Sequence, residues 1–371
     1  MKEGGNPMAT NKRIGIMTGG GDCPGLNAVI RAVAKRAMFE HGWEVFGIED
    51  GYEGMIKRRF RRLEAADVSG ILATGGTILG TSNTSDPYAY CVPGAKTAAR
   101  KDVSDRVVAN IRQKKLDALV IIGGDGTLYT AARLSRAGLK IVGVPKTIDN
   151  DLGGTDVTFG FDTAVGVAME AVDRLHTTAQ SHHRIMIVEV MGRRAGWIAL
   201  YAGVAGGGDI ILIPEIPYRL EPIKAKIHFR KTIGKRFSII VIAEGAKPLG
   251  GDVVVKKRIE TSADPIRLGG VGVVLGDQLE RLTGQEARTV VLGHLQRGGS
   301  PSAADRILAT ELGAEAIRLV SQGIFGRMVA VRNGKIDSVS LDIPAEGPRL
   351  VPVDHPLIAA ARAVGTSFGD E

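Results

Sequence analysis

The chain is short of cysteine, of aromatic side chains and of long apolar runs, and each shortage removes a class of protein. Two cysteines, Cys23 and Cys91, in 371 residues cannot form a disulfide framework, so a reducing compartment is expected. Aromatic residues make up 5%, too few for the stacked platforms of a nucleic-acid groove, and no nucleic-acid partner is expected. No apolar run approaches the roughly 18 residues of a membrane span, so no membrane partner is expected. The opening "MKEGGNPMATNKR" lacks the apolar centre of a secretory leader; residues 1–12 read as a flexible extension and the location as cytoplasmic.

Glycine, by contrast, is abundant: 50 residues without a collagen-like period suggest tight turns and phosphate loops. The net charge of +8, from 48 basic and 40 acidic residues, favours anionic ligands. The single basic cluster, "KRRFRR" (57–62), reads as a solvated surface turn.

Short apolar runs alternate with longer amphipathic ones. Strands are expected at 13–18, 43–48, 117–123, 140–147, 184–191, 208–215, 237–245 and 288–295, with helices between them. Continuously apolar strands alternating with helices predict an α/β fold of parallel sheets covered on both faces. About eight strands predict two doubly wound, Rossmann-like domains facing a cleft, with ligands beyond the carboxyl ends of the strands. Residues 246–270 read as a polar surface excursion, and the tail from about Pro344 shows no strong period.

Five segments fall at that expected edge. "TGGGDCPGLN" (18–27) joins a strand to a helix, and its glycines open the backbone to a phosphate at the helix N-terminus. It lacks the dinucleotide-binding spacing. "IIGGDGT" (121–127) repeats the arrangement and adds Asp125, a hard-oxygen ligand suited to magnesium carrying phosphates. "VPKTIDNDLGGTD" (144–156) crowds Asp149 and Asp151 behind Lys146; on an extended segment both carboxylates would point the same way, one as base and one as support. "VEVMGRRAGW" (188–197) places Met191, Gly192 and Arg193 at a strand end, where an arginine can stabilise a transferring phosphoryl group. "EARTVVLGHLQRGGSPSAADR" (286–306) offers Arg288, His294 and Arg297, a set suited to a phosphomonoester. Taken singly, each has a plainer reading: a tight turn, an Asx-rich loop, a surface arginine, a structural histidine. His182 and His183 are not expected to bind metal.

In this order, "GGGDCPGLNAVIR", "GGDGT", "PKTIDNDLGGTD", "HHRIMIVEVMGRRAG" and "LGHLQRGGSP" closely resemble the phosphofructokinase family, from about Ile14 to Met328. The combination sets aside the NAD-kinase and lipid-kinase readings, which share only the glycine–aspartate loop. The resemblance implies transfer of the terminal phosphoryl group of ATP to the 1-hydroxyl of fructose 6-phosphate, with magnesium. It makes Asp149 the general base, Thr147 and Asp151 its supports and sugar contacts, Asp125 the magnesium ligand and Arg193 the cation at the transferring group. Met191, Gly192, Glu244, His294 and Arg297 match sugar-phosphate contacts. Arg184 and Arg288 match arginines reaching the 6-phosphate of a neighbouring subunit, which implies a homo-oligomer, dimer or tetramer. Gly20, Gly21, Gly124, Gly126, Thr127 and Asn83 fall in the donor phosphate loops. The domain division on this reading is 13–160 plus about 296–346 for the larger, nucleotide-binding domain. The smaller, sugar-phosphate domain takes 161–295 plus about 347–371.

The donor code is mixed. Pyrophosphate-using members resemble one another in an Asp after the metal aspartate and in the Lys of "PKTIDND"; this chain has Gly126 with Lys146. Glycine leaves space for the nucleotide α-phosphate, and Lys146 reads as a long cation able to swing aside, so ATP is the expected donor. A pyrophosphate-dependent enzyme and a catalytically weak regulatory subunit are the alternatives. Asn83 stands where the family's usual pattern has an arginine, which removes a charge that phosphoryl transfer favours. Arg31, Arg59 and Lys235 match part of the bacterial effector site, but His176 and Ile233 stand where further cations are expected, which argues against nucleoside diphosphate activation.

Overall fold

The computed structural model describes residues 11–91, 100–258 and 266–371. The extension 1–12 therefore lies almost wholly outside the described residues. Strand β1 (Arg13–Thr18) leads through the first glycine loop into α1 (Leu26–His41), followed by β2 (Glu44–Ile48), α2 (Tyr52–Lys57) and β3 (Phe60–Leu63). A ribbon of β4 (Tyr90–Cys91) and β5 (Arg100–Lys101) precedes α3 (Ser104–Lys114), β6 (Ala118–Gly123), α4 (Asp125–Arg136) and β7 (Ile141–Pro145). Next come α5 (Phe161–His182), β8 (Ile185–Val190), α6 (Trp197–Ala205), β9 (Ile210–Leu212), α7 (Leu220–Thr232) and β10 (Ser238–Ala243). A second ribbon, β11 (Val255–Arg258) with β12 (Ile266–Leu268), lies within the expected excursion; residues 259–265 lie outside the described residues. The chain closes with α8 (Val271–Thr283), β13 (Ala287–Val291), α9 (Ala303–Ser321), β14 (Arg327–Arg332), β15 (Lys335–Ser340) and α10 (Pro356–Ala363).

The strands form a seven-stranded sheet, β15-β14-β7-β6-β1-β2-β3, and a four-stranded sheet, β13-β8-β10-β9. The smaller sheet is wholly parallel, and the larger is parallel except at its two edges. This is the α/β architecture expected from the alternation. Every residue of β6 (ALVIIG) and β10 (SIIVIA) is buried, because helices cover both faces of each central strand. Strands β3, β14 and β15 were not among the eight expected; β3 and β15 are the edges of the larger sheet. The edge sequences FRRL and KIDSVS carry charge on the solvent side and so lack a continuous apolar run, whereas RMVAVR of β14, between β15 and β7, buries its central MVAV. "KRRFRR" accordingly is a turn at Arg58 that runs into edge strand β3, with Arg61 and Arg62 ion-paired to Glu49, Asp67, Glu44 and Glu64. The tail from Pro344 also holds a helix, α10, with Pro356 in its first turn.

One buried apolar cluster runs from α1 and α9 through Phe159 and Phe161 into α5, α6 and the smaller sheet. It ties the two sheets together and holds their carboxyl edges face to face. Asp305 on α9 reinforces the joint: it accepts hydrogen bonds from the Gly160 and Thr163 backbone N–H groups and from the Thr163 hydroxyl at the start of α5. No described helix is long and apolar enough to cross a membrane.

Candidate active site

Six strand ends converge on one cleft. β1, β6 and β7 deliver the loops 18–22, 123–127 and 146–151; β8, β10 and β13 deliver 191–194, Glu244 and the turn Gly293–Arg297. The first glycine loop is held by backbone bonds from Gly19 N–H to Ile122 O, 2.9 Å, and from Gly20 N–H to Ser82 O, 3.1 Å. Gly20 has φ +79°, in the left-handed region that glycine enters without strain. Gly21 leaves room for Arg297: a Cβ there would lie 2.4 Å from Arg297 Nη1, which donates to Asp22 O at 3.0 Å, so a side chain would displace the guanidinium. Arg297 thus bridges from the smaller sheet to the larger. Asn83 is exposed on the segment that braces this loop, beside Ser82 and beside Thr81, whose hydroxyl donates to Gly20 O at 2.7 Å.

Gly124 caps α4, and Asp125, Gly126 and Thr127 form its first turn, so backbone N–H groups point into the cleft. Asp125 is exposed; its Oδ1 accepts from Gly126 N–H at 2.7 Å and its Oδ2 lies 3.5 Å from Arg194 Nη1. A lone, open carboxylate fits magnesium that keeps its waters and arrives on phosphates. Among the described residues no three or more His, Cys, Asp or Glu side chains gather into a self-sufficient metal cage. Gly126 is open: a Cβ there meets nothing within 4 Å, and its φ is outside the left-handed region. Neither packing nor backbone geometry within the chain demands glycine at this position.

The expectation for Lys146 needs correcting. Its side chain is only 4% exposed, and Nζ donates to Gly21 O beneath the glycine loop, with Cys23 beside it. Burial holds its pKa below the usual lysine range. It braces the loop and does not swing in the cleft. The segment after it is also not extended: bends carry the chain past Asn150, whose φ of 53° is left-handed. Asn150 tolerates this because its short amide is held locally, Oδ1 accepting from Thr158 N–H at 3.0 Å. Asp149 and Asp151 are therefore set by a turn and not by strand alternation.

Thr147 holds the backbone of Asp149 and the carboxylate of Asp151. Its hydroxyl accepts from Asp149 N–H at 3.1 Å and donates to Asp151 Oδ1 at 3.3 Å. Asp149 Oδ1 is shielded from water and has no hydrogen-bond partner. Leaving such an atom unpaired costs about 1–3 kcal/mol, an outlay that marks a group kept for a ligand. Burial pushes the Asp149 carboxyl up to about 6, with Glu244 adding to the rise and Arg297 and Lys146 opposing it. Burial, then the charge of Asp149, pushes Asp151 up to about 7. The two titrate as a pair. If ionised Asp149 is the base, kcat/KM should climb tenfold per pH unit below about 6 and level off above about 7. Rates measured from pH 5 to 8 check this, and a flat profile would contradict it.

On the smaller sheet, Gly192 (φ +134°) and Gly245 lie back to back, with Gly245 N–H bonded to Gly192 O at 3.1 Å. This close approach sets Met191, Arg193 and Glu244 side by side at the ends of β8 and β10. Glu215 accepts from Gly196 N–H at 3.0 Å and so fixes the loop from which Arg193 and Arg194 project. His294 is exposed and Arg297 half-buried on the turn after β13.

Two residues are not at this edge. Arg184 precedes β8 and Arg288 is the second residue of β13, both at the amino ends of their strands and held by Glu286. Six residues of β8, about 20 Å, separate them from Arg193. Of the effector-site matches, Arg59 pairs with Asp50 at 3.0 Å, His176 bonds Gly206 O at 2.7 Å, and Ile233 is exposed. Sequence reasoning passed over Arg194 and Asn150. The signals were the doubled arginine of "GRRAG" and an asparagine between two aspartates, a residue that tolerates left-handed turns.

A family profile described as phosphofructokinase matches residues 13–320. ATP-dependent 6-phosphofructokinase 2 of Clostridium perfringens is 52% identical over 365 residues, covering 98% of this chain and 100% of that protein. The pyrophosphate–fructose 6-phosphate 1-phosphotransferase of Amycolatopsis mediterranei is 48% identical over 344 residues, covering 92% of this chain and 97% of that one. Phosphofructokinase from Saccharomyces cerevisiae superposes with a TM-score of 0.75 at 31% identity, over 97% of this chain and 47% of the yeast chain, so this chain spans about half of it. With the matched segments meeting at one cleft, the chain belongs to the phosphofructokinase family.

Proposed function

We propose that the protein is an ATP-dependent 6-phosphofructokinase, forming fructose 1,6-bisphosphate from fructose 6-phosphate. The observation that carries this reading is the buried, unpartnered Asp149 Oδ1 at the cleft, on a carboxyl whose proton affinity is raised toward neutrality. Asp149 takes the proton of the sugar 1-hydroxyl as that oxygen bonds the terminal phosphorus and the bond to the leaving bridging oxygen breaks. Thr147 orients Asp149 and Asp151. Arg193 supplies positive charge at the transferring group, and Met191, Gly192, Glu244, His294 and Arg297 line the sugar phosphate. The N-terminus of α4 and the glycine loop receive the donor phosphates. Magnesium, held at Asp125, would neutralise charge on those phosphates. The larger sheet with α9 makes the nucleotide-binding domain, the smaller sheet with the tail the sugar-phosphate domain, with the boundaries given above.

A coupled assay with fructose 6-phosphate and either ATP or pyrophosphate tests the reading. Turnover with ATP supports it. Turnover with pyrophosphate alone would favour the activity named for the Amycolatopsis relative, and turnover with neither a binding subunit.

Arg184 and Arg288, remote from their own cleft, serve a neighbouring subunit in a homo-oligomer. Arg288→Ala should raise the KM for fructose 6-phosphate roughly 10–100-fold, the loss of a charged hydrogen bond worth about 1.5–3 kcal/mol. Mixing Arg288→Ala with Asp149→Asn subunits should restore activity, because a mixed pair holds one site with both residues intact. No recovery in refolded mixtures would overturn the shared site.

A further inference from the structure

Arg194 crosses the cleft. The loop after β8 belongs to the smaller sheet, yet Arg194 Nη1 lies 3.5 Å from Oδ2 of Asp125, in the first turn of α4 on the larger sheet. The loop is clamped at both ends. Gly245 N–H donates to Gly192 O at 3.1 Å, and a Cβ at 245 would lie 2.0 Å from Arg193 O, so the two strand ends touch. Glu215 accepts from Gly196 N–H at 3.0 Å, and buried Trp197 opens α6 directly after it. Arg194 therefore starts from a fixed backbone, and only its own torsions decide where the guanidinium ends.

The pair it makes with Asp125 is open to exchange. The two side chains are 56% and 61% exposed, and an ion pair so open to water contributes little. Phosphates arriving at the N-terminus of α4 carry more charge than one carboxylate, and a guanidinium grips phosphate oxygens through two parallel N–H donors. Two other cations at the glycine loop are already committed to its backbone: Lys146 Nζ donates to Gly21 O, and Arg297 Nη1 to Asp22 O at 3.0 Å. Asn83, on the segment that braces the loop, is neutral. We propose that Arg194 is a donor-phosphate ligand. It leaves the Asp125 carboxylate for the outer phosphates of the donor and carries positive charge from the sugar-phosphate half of the cleft to the donor half. The exchange frees Asp125 Oδ2 for the cation that the phosphates bring. It also ties the two sheet edges together through the donor, since Arg194 is fixed to one edge and the phosphates lie on the other. The proposal rests on the reading of α4 and Asp125 as the donor site, and binding measured without turnover separates the two.

Calorimetry with the non-hydrolysable analogue β,γ-imido-ATP and magnesium, in the absence of sugar, reads the contact apart from the reaction. Arg194→Ala should weaken the analogue by about tenfold or more, the scale of one lost charge-assisted hydrogen bond. Arg194→Lys, which keeps the charge and loses the fork, should recover at least about threefold of that affinity. Fructose 6-phosphate, titrated without donor, should bind Arg194→Ala within about twofold of the unsubstituted protein. The melting temperature of Arg194→Ala should stay within about 2 °C, because the lost ion pair is exposed. A latch that merely holds the empty cleft predicts the opposite sign: with its competitor gone, Asp125 is freer, and the analogue binds Arg194→Ala as tightly as before or more tightly. That result would overturn the proposal, as would equal weakening of sugar and analogue, or a lysine variant with no recovery. Imidodiphosphate is titrated in parallel. If the unsubstituted protein binds it and not the ATP analogue, the ATP reading falls, and the Arg194 variants are judged on imidodiphosphate by the same ratios. Binding of neither overturns the donor site itself and Arg194's role with it.

Discussion

Asp149→Asn should lower kcat by about 10²–10⁴-fold, the contribution of a positioned general base, equivalent to about 3–5 kcal/mol of barrier. The amide matches the carboxylate in shape but cannot take the proton of the sugar hydroxyl. The fold should not suffer. The Asp149 carboxyl, raised to about 6 from an ordinary 3.8, binds its proton more tightly in the native state than in the unfolded chain. Native protein therefore holds the extra proton between about pH 4 and 6, and stability falls as pH rises through that window. Asparagine never ionises and escapes that loss. The variant should melt at or above the wild-type temperature at pH 7.5, and the difference should shrink toward pH 4. Kinetics and thermal melts check both halves. A kcat loss under tenfold would remove Asp149 from the role of base, and a collapsed melting temperature would make the loss a folding effect.

Gly126→Asp should cut kcat/KM for ATP by roughly 10–10³-fold and leave any pyrophosphate activity unaffected. A carboxylate about 4 Å from a nucleotide phosphate is repelled by about 1 kcal/mol in water and about 4 kcal/mol at a partly shielded protein surface. The protein itself has no objection to the side chain. A Cβ at 126 meets nothing within 4 Å, and a carboxylate in the first turn of α4 is favoured by the helix dipole by about 0.3–1 kcal/mol. Loss of ATP use would thus come from the cleft and not from unfolding. An intact ATP rate in the substituted enzyme would refute the steric account of donor choice.

Much of the site was legible because phosphate chemistry needs particular local sequences. A glycine loop opening a helix, an aspartate at a strand end and an arginine after a strand can each be read within ten residues. Their common location followed from the alternation of buried strands and helices, since parallel strands present their carboxyl ends together. Edge strands were not legible: β3 and β15 carry their charges on the solvent side, and only their neighbours in the sheet make them strands. The turn at Asn150 was hidden for a related reason. The run Thr147–Asp151 continues an apolar strand, and it bends because Thr158, in the next segment, captures the Asn150 amide.

By itself the sequence determined the α/β class, the family resemblance and the chemical types at the cleft, all of which rest on period and local spacing. Only the tertiary structure decided the states of those groups. Lys146 looked like a mobile cation and is a buried brace, because the carbonyl that holds it belongs to Gly21, 125 residues earlier in the chain. Arg184 and Arg288, matched by resemblance to arginines that serve a neighbouring subunit, lie at the amino ends of their strands and away from their own cleft, because position along a strand depends on where pairing begins. The raised proton affinity of Asp149 is likewise a product of burial, which comes from chain segments distant in sequence closing over one carboxylate.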